Sequence, residues 1–216
     1  MLSIRTLRRT AAAAVAAGAL LIAFAASSAA GDIFDDWDTA KVPGKIELKP
    51  VTVDSKTTAM LILDMTKGGS CMTRPRCIST VPNVKRIHDA ARAAGLMFWY
   101  SAGTKEMMDP GFTPREGEYV NQNGPDKFLG SNLDEKLKAG HIQTVIICGT
   151  SFQGVGVGTG TEAAQRGYKV IVPIDCLSSE DPYMEQYSAW HFFKGGPAVV
   201  TGNSTLTRST MVKFGN

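Results

Sequence analysis

Three groups of residues in this chain could do chemistry by their type and spacing. The apolar run Ala59-Met-Leu-Ile-Leu ends in a carboxylate, Asp64. Farther on, Gly154, Gly156, Gly158 and Gly160 alternate through a turn that opens with Gly149-Thr150-Ser151. Their spacing is not the dinucleotide fingerprint. Gly149 and Gly154 match the first half of a P-loop, but Val155-Gly156 stands where Lys-Ser/Thr is required. Both nucleotide readings therefore fail. What remains is a helix start whose amides face a pocket, suited to an oxyanion or a carboxylate, together with close packing through small residues. The third group is four cysteines. Cys71 and Cys77 share one loop-like stretch, where they could close a small ring in an oxidising compartment or stand as two thiols near a pocket mouth. Cys148 lies inside an apolar run, where a thiol is usually inert filling, and Cys176 follows Asp175 at a strand end.

His88, His141 and His191 are scattered, with no second ligand two or four residues away, so no metal is expected. Tyr187 and His191 stand one helical turn apart and could line a pocket or belong to a core stripe. No feature calls for a cofactor.

The elements that must position these groups alternate. Residues 59–64, 96–101, 145–148 and 169–174 read as strands buried on both faces, the pattern of a parallel sheet. A helix is expected from Pro82, in its first turn, through Val84, Ile87 and Ala91 to a stop at Gly95. Residues 102–130 lack periodicity and read as one long loop. Ser131-Asn132 could cap a short helix ended by Gly140. Another helix follows the glycine turn to Arg166-Gly167, and Asp181-Pro182 opens a further one. Residues 198–200 and 204–207 are weaker strand candidates. This alternation predicts a three-layer α/β/α fold, Rossmann-like in layout, with a mostly parallel sheet of about six strands. Ligands in such sheets bind outside the carboxyl ends of the strands, where Asp64, Ser101, Gly149 to Gly154 and Asp175 fall.

Residues 1–30 read as a signal peptide: Arg5, Arg8 and Arg9, an apolar run from Ala11 to Ala26, then Ser28-Ala29-Ala30 before Gly31. Arg8-Arg9 allows a twin-arginine route, and the run is short for a membrane span, so no stable insertion is expected after cleavage. The product would be periplasmic or secreted. The whole chain has 23 Lys and Arg against 20 Asp and Glu. Removing the leader removes three arginines and no acids, which leaves a neutral protein with no basic run for nucleic acid. Residues 31–57, polar and acidic around Trp37, are expected to form an N-terminal arm, with one domain over 58–216.

Several of these stretches together resemble the isochorismatase-like cysteine hydrolase superfamily. They are Leu61-Ile-Leu-Asp64-Met65, Phe128-Leu-Gly-Ser-Asn-Leu-Asp134, the block from Thr144 to Cys176, and within it Arg166-Gly-Tyr-Lys-Val-Ile-Val-Pro-Ile-Asp175. The resemblance runs from Thr58 to about His191. It implies the isochorismatase-like α/β fold, usually assembled into homo-oligomers, and hydrolysis of a small-molecule substrate. It also implies that Asp64 is the general acid/base. The family lysine falls at Gln122, six residues before Phe128. Lys127, directly before Phe128, could pair with Asp64 or be solvated. The family cysteine stands six residues after the glycine that ends the strand, which here is Val155. Hydroxyls on the same turn, Thr150 and Ser151, and the thiol of Cys71 are the other candidate nucleophiles. Isochorismatases within the family manage without the cysteine, using the aspartate and water. The Asp-x-His metal pattern of nicotinamidases is absent after the second strand.

Two functions are consistent with this pattern. One is an exported, cofactor-free hydrolase of a small polar or carboxylated molecule. In it Asp64 works with Lys127, the turn Thr150, Ser151, Gly154 and Val155 binds the anion, and Gln122, Phe128, Tyr187 and His191 line the pocket. The other is a non-catalytic periplasmic binding or scaffold protein, a pseudoenzyme on the same fold.

Overall fold

A computed structural model describes residues 31–68, 71–102, 106–121 and 124–215. The signal peptide expected over 1–30, and Gln122, lie outside the described residues. Residues 31–42 are the described part of a first unit that ends at Val42, and hold one 3-10 turn at Trp37–Thr39. The second unit begins at Pro43. The arm expected over 31–57 is thus divided, and its last residues form a strand, β1 (Val51–Asp54). Pairing with β9 (Val212–Gly215) makes β1 half of a small parallel ladder, Val51 opposite Val212.

The main sheet runs β4 (Tyr119–Asn121), β3 (Met97–Ser101), β2 (Thr58–Leu63), β5 (Thr144–Thr150), β6 (Lys169–Pro173), β8 (Ser204–Thr207). A two-residue strand, β7 (Leu177–Ser178), adds to the end of β5. Every pairing in the ladder is parallel. The fold class expected from the sequence is the one observed.

Because strand side chains alternate, β2 feeds two cores at once. Ala59, Leu61 and Leu63 enter one apolar cluster, while Met60 and Ile62 enter the other. On the first side lie α2 (Leu133–Ala139), α3 (Val157–Gln165) and α5 (Ala198–Asn203), through Leu133, Leu137, Ala163, Ala164 and Val200. On the second side lies α1 (Pro75–Ala93), through Cys77, Val84, Ile87 and Ala91. Helix α4 (Pro182–Trp190) follows β7, and the Asp181 carboxylate caps it by accepting from the Met184 amide at 3.1 Å.

Three expectations are corrected. Helix α1 starts at Pro75, not near Pro82, which lies inside it. The buried stripe Cys77, Thr80, Val84, Ile87, Ala91 keeps helical spacing from the first turn. Pro82 has no N–H to offer the carbonyl four residues back, that of Ile78, which lies on the exposed side of the helix. Residues 198–203 are helical rather than extended, because Pro197 starts a helix there and its carbonyl accepts from Val200 and Thr201. The long loop 102–130 contains an edge strand, β4, too short to show periodicity. Among the described residues, no helix is long and apolar enough to cross a membrane.

Candidate active site

After β2 the chain builds outward through β3 and β4, then returns to the other side of β2 with β5. The strand order reverses between β2 and β5, and the crevice at such a switch point is where open α/β sheets bind ligands. Leu63 pairs with Gly149, so Asp64 and Thr150 are the next residues along neighbouring strands. The fit there is close. Gly149 has φ 142°, and a Cβ on it would lie 1.9 Å from the Leu63 carbonyl oxygen, so no other residue can stand there.

Asp64 turns out of the sheet in the left-handed region, φ 54°. Its carboxylate is held from two sides. The Ser101 hydroxyl, at the end of β3, donates to Oδ1 at 2.7 Å and accepts from the Asp64 amide at 3.0 Å. Lys127 Nζ lies 3.3 Å from Oδ1 and 3.4 Å from Oδ2. The lysine side chain is 3 % exposed and the aspartate 16 %, so the pair is largely out of water and its charges are little screened.

Lys127 reaches this depth because its backbone is clamped to α3. Thr159, fully buried, donates from Oγ1 to the Pro125 carbonyl at 3.1 Å and accepts from the Lys127 amide at 3.2 Å. The Lys127 carbonyl accepts from Ser131 Oγ at 2.6 Å and Asn121 Nδ2 at 3.0 Å. Gly158 lets the two segments touch, since a Cβ there would lie 3.0 Å from the Pro125 oxygen.

The turn after β5 is a single π turn, Phe152–Gly156, entered through a cis Thr150–Ser151 peptide. The Ser151 carbonyl accepts from Gly154 N at 3.2 Å and Gly156 N at 3.0 Å. The Gly154 amide is therefore spent inside the turn, against the expectation that it faces an anion. Val155 is 8 % exposed and packs into the first core. The Thr150 hydroxyl donates to the Ser178 carbonyl at 3.3 Å and accepts from Arg74 Nη1 at 3.5 Å.

The remaining candidates go elsewhere. Phe128 is 4 % exposed and stacks on Tyr168, centroids 6.1 Å apart, with the Arg166 guanidinium 5.2 Å from its ring centre; it belongs to the core rather than to a pocket wall. Tyr187 packs against Tyr183 on the outside of α4. His191 Nε2 lies 2.7 Å from Thr161 Oγ1, and burial lowers its pKa. Among the described residues, no contact brings either to Asp64, and no three His, Cys, Asp or Glu side chains gather as for a metal. Cys71 and Cys77 form a disulfide, whereas Cys148 and Cys176 are free and fully buried.

Two partners went unread in the sequence. Thr159 is one small residue among several in α3 and carries no local signal. Arg74 had one: it stands midway between two cysteines that close a ring.

The isochorismatase domain model matches residues 58–204. The chain is 26% identical over 156 residues to N-carbamoylsarcosine amidase of Arthrobacter sp, covering 58% of this chain and 59% of that protein. It is 31% identical over 106 residues to a secreted isochorismatase effector of Verticillium dahliae, covering 48% and 54%. The chain thus spans under two thirds of the length of either relative. A crystal structure of an isochorismatase family protein from Desulfovibrio vulgaris superposes with TM-score 0.62 at 21% identity, over 72% of this chain and 95% of that one. That likeness shows the fold. The family model, spanning both strands of the switch point and the lysine clamp, shows that this chain belongs to the isochorismatase family.

Proposed function

We propose that the chain is an exported hydrolase of a small polar or carboxylated molecule in which Asp64 moves the proton and water attacks. One observation carries this reading. The Asp64–Lys127 pair is assembled at the switch point, while all four cysteines are either bonded to each other or buried in the core. For a C–N bond of the amide type, the Asp64 carboxylate takes a proton from water as its oxygen bonds to the acyl carbon. The carbonyl electrons shift to oxygen, near the Lys127 ammonium. Collapse expels the amine, which takes the proton from Asp64, leaving an acid and an amine. The names of the amidase and effector relatives support the bond type and the export. The disulfide fits an oxidising compartment.

A second reading, a non-catalytic ligand-binding protein, draws on the Gly154 and Gly156 amides, which the Ser151 carbonyl occupies. The test is turnover of small amides, ureides, esters and vinyl ethers by the protein and by Asp64→Asn. Turnover lost in the variant supports the hydrolase. Folded protein that binds such molecules without converting any supports the second reading.

A further inference from the structure

We propose that Arg74, presented by the Cys71–Cys77 ring, is the residue that recognises a carboxylate on the substrate. This rests on the hydrolase reading above and names the substrate class. The ring spans seven residues with Arg74 at its centre, and both half-cystines are fully buried, Cα atoms 5.2 Å apart. Three further constraints fix the loop. The Arg74 amide donates to the Cys71 carbonyl at 2.9 Å, the Cys71 amide donates to the Thr66 carbonyl at 3.2 Å, and Pro75 restricts Arg74 to extended backbone, φ −120° and ψ 101°. The backbone that carries the arginine is thereby pre-organised, so the loop has little freedom left to lose on binding.

Its guanidinium spans two places. Nη1 meets the hydroxyl of Thr150, the neighbour of Asp64 across the strands. The same side chain lines a cleft of about 320 Å³ with Thr73, Pro75, Arg76, Ser179 and Glu180. Both of its bonds are long, 3.5 Å to Thr150 and 3.3 Å from Nε to Glu180 Oε1. Glu180 is 61 % exposed, so that ion pair is weak and readily exchanged for another carboxylate. Arg76 differs: both its Nε and Nη2 are taken by Glu185, which also accepts from the Ser179 amide. Arg76 is thus held in a fork on Glu185, while Arg74, with two long bonds, is the cation of the cleft more readily turned to a ligand, and a planar fork suits a carboxylate bidentately. A substrate bound this way would place its reacting carbon toward Asp64 and its carboxylate toward the ring.

The test compares N-carbamoylglycine with N-carbamoylglycinamide, which keeps the scissile group and lacks the charge. Binding is measured calorimetrically and turnover in parallel, on the protein and on Arg74→Gln, Arg74→Lys and Glu180→Gln. The expected result is preferential binding of the carboxylate. Arg74→Gln would weaken it tenfold or more with the amide unaffected, Arg74→Lys would weaken it less, and Glu180→Gln would tighten it. Equal loss for both compounds, or no loss, overturns the proposal, as does an unsubstituted protein that does not prefer the carboxylate. Arg74-dependent binding without turnover leaves the proposal standing and removes the hydrolase reading instead.

Discussion

Lys127 Nζ sits 3.3 Å from Asp64 Oδ1, a contact between residues 63 apart in the chain. The two opposite charges meet in a largely dry setting. Removing the lysine leaves the Asp64 carboxylate with the Ser101 hydroxyl but without the ammonium that offsets its charge. Lys127→Met should therefore cost about 3 kcal/mol in denaturant unfolding, and Asp64→Asn/Lys127→Met should recover part of that loss. If the double variant is as unstable as the sum of the singles, the pair is not coupled.

Thr159 is a positioning residue, acting on Lys127 without reaching Asp64. Thr159→Val keeps the shape and removes both hydrogen bonds of the clamp. The expected outcome is a kcat reduced tenfold or more, near-constant KM, and about 1–3 kcal/mol lost from stability. Thr159→Ser should restore most of both. A variant with normal kcat would show that the backbone clamp does not matter to the site.

The proposal that water attacks has a direct chemical consequence. Two cysteines are joined and two are wholly buried, so the native protein should take up no iodoacetamide and lose no activity. Burial also raises the pKa of the Cys176 thiol, which further suppresses its thiolate. Intact-mass measurement beside an activity assay decides it. Inactivation matched by one alkylation would mean that a thiol does the attack.

Acid should destabilise the fold through His88. Burial lowers its pKa, outweighing the opposing pull of Asp89, while nearby Arg92 adds to the lowering. Arg92 Nη2 donates to Tyr100 Oη at 2.6 Å, and His88 Nε2 lies 3.2 Å from the same oxygen. Glu118, paired with Arg92, completes the cluster. Above about pH 6.5 the folded and unfolded chains both hold His88 neutral. Below it the unfolded chain takes up the proton first, so stability falls until the folded histidine is protonated too. His191 shifts in the same direction. Melting temperature should drop between pH 7 and pH 5, with a shallower slope in His88→Gln. An unchanged slope would assign the acid effect to other groups.

The strands that build the pocket floor were legible because each is an apolar run with both faces buried. The carboxylate ending the first run was legible through the family pattern, whereas that pattern puts the lysine at Gln122 and leaves Lys127 as a neighbour that could equally be solvated. The start of α1 was not, because Pro75 and Pro82 both suit a first turn and the choice lies in which face meets the second core. Residues 198–200 misled because β-branched residues favour strands unless something like Pro197 starts a helix. The turn at 151–156 reads as a row of available amides until the Ser151 carbonyl is seen to accept from two of them. Such contacts depend on backbone torsions that residue types do not specify.

The central place of β2, flanked by β3 on one side and β5 on the other, also sets when activity can emerge. Ser101 can join Asp64 once β2 and β3 have paired, a connection that α1 alone bridges. The ammonium arrives later in the chain, and its seat on α3 needs β5 already alongside β2. Catalytic competence after dilution from denaturant should therefore never precede closure of the β2–β5 connection. In renaturation experiments the return of turnover would mark the finish of folding, later than any signal from the β2–β3 half.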